Sequence, residues 1–249
     1  MSSKFLLVTG GGRGIGASVC RLAAKAGYRL AINYASNDDA ANELVDEIRA
    51  DGGEAVAIKG DVGSEADVLA MFEAVDRTYG RLDALVNNAG VVDRKARLDE
   101  MSAARVERMF RINVIGSLLC AREAVKRMST LHGGSGGAIV NLSSVAATAG
   151  SPGEYVDYAA AKGAINTFTI GLAREVATEG IRVNCVSPGI VDTEIHASGG
   201  QPDRIAAFRG MIPMKREGRP DEIAYAVLWL LSGEASYTTG AILNVSGGR

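Results

Sequence analysis

Short, continuously apolar runs rich in β-branched residues recur along the chain. They fall at Phe5–Val8, Leu30–Asn33, Ala55–Ile58, Ala84–Asn87, Ala138–Leu142, Arg182–Val186 and Ala241–Val245. Because apolar and polar residues do not alternate within them, these runs predict parallel strands covered on both faces. The stretches between them carry apolar residues at the helical period. Examples are Ile15, Val19, Leu22, Ala23 and Ala26, then Ala41, Leu44, Val45 and Ile48, then Val68, Met71, Phe72, Val75 and Tyr79. Ser64, with Asp67 three positions on, predicts a helix start, and so does Pro220 followed by Asp221 and Glu222, with Gly233 as the stop. Strands alternating with helices predict an α/β fold: a doubly wound, seven-stranded parallel sheet with helices on both faces.

No shift in composition and no internal repeat divides the sequence, so residues 1–249 read as one domain. Two stretches break the rhythm. His132–Gly137 is a glycine-rich connector, and residues 190–219 show little periodicity. A loop of that length inside a compact domain is usually functional, and this one is expected to bind substrate.

Apolar residues make up 47% of the chain and charged ones 22%, enough for a core and incompatible with intrinsic disorder. The net charge of −2, with both signs interspersed, argues against a nucleic-acid partner. No apolar run approaches the roughly 20 residues that cross a bilayer, and Met1 is not followed by a signal-peptide pattern. Cys20, Cys120 and Cys185 are odd in number and far apart, which fits core packing in a reducing, cytoplasmic setting. Neither His132 nor His196 lies near a cysteine, so no zinc site is expected.

Candidate chemistry begins where the first strand runs into Thr9-Gly10-Gly11-Gly12-Arg13-Gly14-Ile15-Gly16. Glycines there permit a tight turn and let backbone N–H groups approach a pyrophosphate at a helix N-terminus. A glycine-rich turn can equally be only a tight strand-to-helix connection. Tyr158 and Lys162 lie four residues apart, one turn from each other on one helix face. Of the seven tyrosines, only Tyr158 has a lysine four positions later. A phenol titrates near pH 10, and a nearby ammonium is expected to lower that value and make it a usable acid/base. Tyr155 lacks such a lysine and is expected to line the substrate mouth.

With the spacing Gly10-x-x-x-Gly14-x-Gly16, the chain resembles the short-chain dehydrogenase/reductase family, and the resemblance continues in order along its length. Asp61-Val62, Asn87-Asn88-Ala89-Gly90, Asn113, Asn141-Leu142-Ser143-Ser144, Tyr158-Ala-Ala-Ala-Lys162, Pro188-Gly189 and Thr193 all fall in register. The resemblance implies a Rossmann fold and an NAD(P)-dependent oxidoreductase interconverting a carbonyl and a secondary alcohol. In that reading Tyr158 is the general acid/base, and Lys162 holds the nicotinamide ribose and lowers the tyrosine pKa. Ser144 orients the substrate oxygen, Ser143 on the opposite face is structural, and Asn113 holds a relay water. Cofactor contacts are implied for Gly10, Gly12, Arg13, Gly14, Ile15 and Gly16, for Asn33, Tyr34 and Ser36, and for Asp61 and Val62. Asn88, Ala89, Gly90, Pro188, Gly189, Val191 and Thr193 complete that set, beside Tyr158 and Lys162.

NAD-preferring members place a carboxylate at the end of the second strand. Here that position is Tyr34, and Arg13 is available to a 2′-phosphate, so NADP is favoured, with NAD as the alternative. The Met211–Gly218 run and Pro220-Asp-Glu-Ile223 resemble 3-oxoacyl-carrier-protein reductases and glucose dehydrogenases. Glu179 stands where the carrier-protein enzymes tend to keep a basic residue, whereas Glu154 and Asp157 suit a polyhydroxylated substrate. A reading from another class is a dinucleotide-binding sensor without chemistry, although such proteins typically lose the tyrosine or lysine. The small residues around Tyr158, Ala159 to Ala164, together with Leu118, Leu119, Val125 and the last strand, point to a homotetramer, as the resemblance implies.

Overall fold

A computed structural model describes residues 4–249, apart from the His196 side chain, so the part of the zinc expectation that concerns His196 lies outside the described residues. The seven apolar runs form strands β1 (Phe5–Val8), β2 (Arg29–Tyr34), β3 (Ala55–Lys59), β4 (Ala84–Asn87), β5 (Gly137–Leu142), β6 (Ile181–Pro188) and β7 (Ile242–Val245). All pair in parallel, in the order β3-β2-β1-β4-β5-β6-β7. The helices are α1 (Gly14–Lys25), α2 (Asp38–Ala50), α3 (Glu65–Tyr79), α4 (Ala103–Phe110), α5 (Gly116–Met128), α6 (Ala146–Ala149), α7 (Val156–Val176), α8 (Ile195–Ser198), α9 (Arg204–Arg209) and α10 (Pro220–Leu231).

Side-chain alternation along each strand divides the core in two. Leu6 and Val8 point to one face, where Val19, Cys20 and Ala23 of α1, Leu44 and Ile48 of α2, and Ile223, Val227 and Leu230 of α10 cover them. Leu7 points to the other, under Val68, Phe72 and Val75 of α3, Cys120 and Ala124 of α5, and Val176 of α7. All three cysteines are buried and unpaired.

The predicted helix starts hold. Ser64 Oγ accepts the Asp67 N–H at 3.3 Å, and Pro220 occupies the first turn of α10, where its missing N–H costs nothing. Gly80 ends α3 at φ +69°, a conformation that favours glycine. Two details escaped the periodicity. Arg111–Ile115, between α4 and α5, is a π-helical turn, and the aperiodic 190–219 stretch contains the short helices α8 and α9.

Strand order reverses between β1 and β4, so the carboxyl ends of these neighbours leave a crevice between their diverging connections. In open parallel sheets ligands bind there.

Candidate active site

The glycine-rich turn opens from β1 into that crevice. Gly10 (φ +59°) and Gly14 (φ +52°) adopt left-handed backbone that side chains resist. A Cβ on Gly16 would lie 2.5 Å from the Gly10 carbonyl oxygen and 2.6 Å from Asn88 Nδ2, so only glycine fits. Both neighbouring strands brace the turn. Asn88 Nδ2 donates to the Thr9 and Gly10 carbonyls, each at 2.9 Å, and Gly10 N donates to Asn33 Oδ1 at 3.2 Å. The N-terminus of α1 has no side-chain cap and no acidic residue in its first turn, leaving its N–H groups to an anion. This cradle fits a dinucleotide pyrophosphate.

Lys162 and Tyr158 come from successive turns of α7, and Ser144 from the loop after β5. Ser143 Oγ, 4% exposed, donates to the Lys162 carbonyl at 3.0 Å, Ser144 hydrogen-bonds the Tyr158 phenol, and both serines line the cavity. The Lys162 ammonium lies 5.6 Å from the centre of the Tyr158 ring and donates to the Leu142 carbonyl at 2.7 Å. Burial lowers Lys162 to about 8. Burial also pushes Tyr158 up to about 12, against a hydrogen bond with Ser144 and the charge of Arg204, which both pull it down. The expected lowering of Tyr158 by Lys162 is therefore corrected. Desolvation wins, and the ammonium is turned to a carbonyl rather than to the phenol.

Asn113 is completely buried in the π-helical turn. Its amide is bound at both ends: Oδ1 accepts Val91 N at 3.1 Å, and Nδ2 donates to the Val91 and Met109 carbonyls at 3.0 Å. Its side chain thus clamps the strand-to-loop segment after Gly90. The π turn sets this reach, because its extra residue rotates the following side chain off the regular helix face.

The cavity is lined on one side by Ile15, Asn88 and Gly90, on the other by Ser144, Tyr155, Tyr158 and Lys162, and across the top by Pro188, Gly189, Val191 and Thr193. Thr193 closes over the glycine turn, its Cγ2 only 3.3 Å from where a Gly14 Cβ would stand. Tyr155, 5% exposed, lines the cavity as well. Gly12 and Arg13 flank the cradle, with Arg13 exposed. Tyr34, half-buried, ends β2, Ser36 follows it at the surface, and Asp38 beside Tyr34 pairs with Lys59 at 3.2 Å. Asp61 is exposed and accepts the Gly63 N–H at 2.8 Å, whereas Val62 is buried against Gly116. Ala89 N bonds the Thr9 hydroxyl. Asn33 is 2% exposed, and its amide is engaged by Gly10 N and by the Ile58 and Gly60 carbonyls. It braces the turn from behind.

The expectation that Glu154 and Asp157 meet substrate is also corrected. Asp157 pairs with Arg105 at 2.9 Å and Glu154 with Arg204 at 2.8 Å, and neither lines the cavity. Arg204 and Arg249 do line it, and the sequence reading named neither. No local pattern marks Arg204, whose acidic partner lies 50 positions earlier on another element.

A family model described as enoyl-(acyl carrier protein) reductase matches residues 10–249. A short-chain dehydrogenase/reductase of Serratia marcescens superimposes with a TM-score of 0.91 at 33% identity, covering 98% of this chain and 97% of that one. The chain belongs to the short-chain dehydrogenase/reductase family. Membership makes it an NAD(P)-dependent oxidoreductase, and the braced glycine cradle is where such a cofactor fits. A short-chain dehydrogenase of Burkholderia cenocepacia in complex with NADP gives a TM-score of 0.90 at 32% identity, covering 98% of this chain and 97% of that one. Among curated relatives, the uncharacterized oxidoreductase YgfF of Escherichia coli is 52% identical over 243 residues, 98% of both chains. Glucose 1-dehydrogenase 2 of Bacillus subtilis is 36% identical over 248 residues, 100% of this chain and 95% of that one.

Proposed function

We propose that this short-chain dehydrogenase/reductase interconverts a small carbonyl compound and its secondary alcohol with NADP(H), using Tyr158 as the general acid/base. The observation that carries the reading is the meeting of Tyr158 and Ser144 on one cavity wall with buried Lys162 beneath them. Residues 1–249 act as one domain, in which the 190–219 segment forms the substrate loop.

NADP(H) supplies or accepts the hydride. Gly10 to Gly16 and the α1 N-terminus would hold its pyrophosphate, and Asn88, Gly90 and Thr193 the nicotinamide half. Lys162 would meet the ribose beside it. Ser144 donates to the carbonyl oxygen and orients it. The Tyr158 phenol, protonated at neutral pH, gives its proton to that oxygen during reduction. In the alcohol direction the phenolate takes the proton back, so oxidation gains with rising pH while reduction stays level through neutrality.

NADP is preferred over NAD because no carboxylate occupies position 34 and Arg13 is exposed with no ion-pair partner among the described residues. The NADP carried by the Burkholderia relative supports the same choice. Three buried, unpaired thiols fit a reducing compartment, the cytoplasm.

Tyr158→Phe is the deciding variant. Turnover of any ketone that the native protein reduces falls by roughly 10²–10⁴-fold, the range of general acid–base catalysis. NADPH binding, followed by fluorescence titration, stays within about threefold of native, since ground-state binding does not use the phenolic proton. Retention of near-native turnover rejects the mechanism.

A further inference from the structure

Among the described residues, the charged ones of the cavity wall are Lys162, Arg204 and Arg249, with no aspartate or glutamate. Lys162 belongs to the catalytic floor. Arg204 enters from the opposite side, on α9, and only 9% of its side chain is exposed. Its guanidinium sits 5.0 Å from the Tyr155 ring centre and 4.5 Å from that of Phe208. Nη1 donates to Gln201 Oε1 at 2.9 Å, Gln201 Nε2 donates to the Tyr155 hydroxyl, and Nη2 pairs with Glu154 at 2.8 Å. Arg249 places its own guanidinium 4.7 Å from the Phe208 ring centre.

A guanidinium has five N–H donors; Gln201 accepts from one, and Glu154 pairs with the charge at Nη2. Glu154 stands outside the cavity wall, so it fixes Arg204 without closing its approach to the cavity. A planar cation clamped between rings and a carboxylate has already lost its rotamer freedom. It can therefore bind a carboxylate or phosphate at little further entropic cost. The acidic groups that would accept bonds from a sugar, Glu154 and Asp157, are held by arginines away from the cavity.

We infer that the substrate carries an anionic group, a carboxylate or a phosphate, which Arg204 holds with Arg249 beside it while the reacting carbonyl lies at Tyr158 and Ser144. The inference rests on the dehydrogenase reading above. It makes Arg204 the specificity residue of the 190–219 loop.

The test compares two matched pairs on the purified full chain with NADPH: 3-oxobutanoate against its methyl ester, and dihydroxyacetone phosphate against dihydroxyacetone. The anionic member of at least one pair has a kcat/KM about tenfold or more above its neutral partner, the scale of a charge-assisted hydrogen bond. Preference within the first pair assigns a carboxylate, and within the second a phosphate. Arg204→Met removes the preference chiefly through KM, while Arg204→Lys restores part of it.

Calorimetric titration of the NADP⁺-loaded protein with the same four compounds reads binding without turnover. There too, an anionic advantage that Arg204→Met abolishes supports the inference. Native protein that favours neither anion in turnover or binding overturns it, as does an Arg204→Met variant that weakens both members of a pair alike. If the neutral ketones are reduced through Tyr158 while the anions gain nothing, the inference falls and the dehydrogenase reading stands.

Discussion

Lys162 is an ammonium enclosed among backbone and apolar groups, and enclosure has a thermodynamic signature. Its folded pKa of about 8 lies below the ordinary 10.5, so between those values the unfolded chain binds more protons than the native one. Stability from this group is complete above about pH 10.5 and is lost as the pH falls through 8. At neutral pH the burden is ~3 kcal/mol. Tyr158 acts in a separate window: its pKa, raised to about 12, removes stability as the pH climbs past 10. Urea denaturation of the cofactor-free protein at pH 8 and 10 isolates this group by difference, because the buried thiols act alike in both proteins: relative to Lys162→Met, native stability gains between pH 8 and 10. A difference that does not change with pH would contradict the assignment.

Arg13 makes a second residue-scale prediction. NADPH binds more tightly than NADH, and Arg13→Ala narrows the gap by about tenfold, one charge-assisted contact. Equal dissociation constants for both cofactors in the native protein would sink it. At this scale the sequence was readable where a rule is geometric. Gly10 and Gly14 of the turn are such a case, required by their positive φ angles. It was unreadable where two long-range terms compete, as in the phenol whose burial outweighs its neighbouring charges.

Among the elements, α7 carries the proposed acid/base pair, and its first turn is anchored from outside. Arg105 of α4 reaches Asp157 at 2.9 Å and 3.3 Å, with side-chain exposures of 11% and 1%, and donates to the Arg94 carbonyl. Asp157 Oδ1 in turn accepts the Tyr158 N–H at 2.9 Å. Removing one partner leaves the other charge buried and unpaired, so Arg105→Leu costs about 3 kcal/mol or more. The variant's shift in chemical denaturation midpoint measures this, and a loss under about 1 kcal/mol would show the pair to be dispensable. Strand positions were legible because each is a continuous apolar run covered on both faces. The π-helical turn at Arg111–Ile115 was not, since one inserted residue leaves the apolar period on either side intact. Nor were α8 and α9, of four and six residues, too short to show a period.

For the whole molecule we expect a homotetramer. The small residues of α7 serve two purposes. Ala159 and Ala161 are buried within the chain, whereas nothing stands within 4 Å of a Cβ built on Gly163 or Gly171. Exposed Ile115, Leu118 and Ile170 accompany this open face. Leu119 and Val125, grouped with Leu118 in the sequence reading, pack instead against the chain's own core. A second set, Tyr225, Trp229 and Tyr237, is exposed near the β7 edge. Two self-complementary patches combine into a closed dihedral tetramer. Light scattering gives a mass near four times 25.9 kDa, and a mass near one chain would exclude the assembly.

The interleaved strand order also has a consequence for synthesis. β1 is flanked by β2 and by β4, which begin at Arg29 and Ala84. A chain emerging from the ribosome can zip its first two strands early. The far edge of Leu6–Val8 then stays open for some fifty residues more, a site for mispairing with other nascent chains. The glycine turn stays unbraced for just as long, because Asn88 arrives only with β4. Added nucleotide can therefore rescue refolding only in its late stage, once the two halves of the sheet have met.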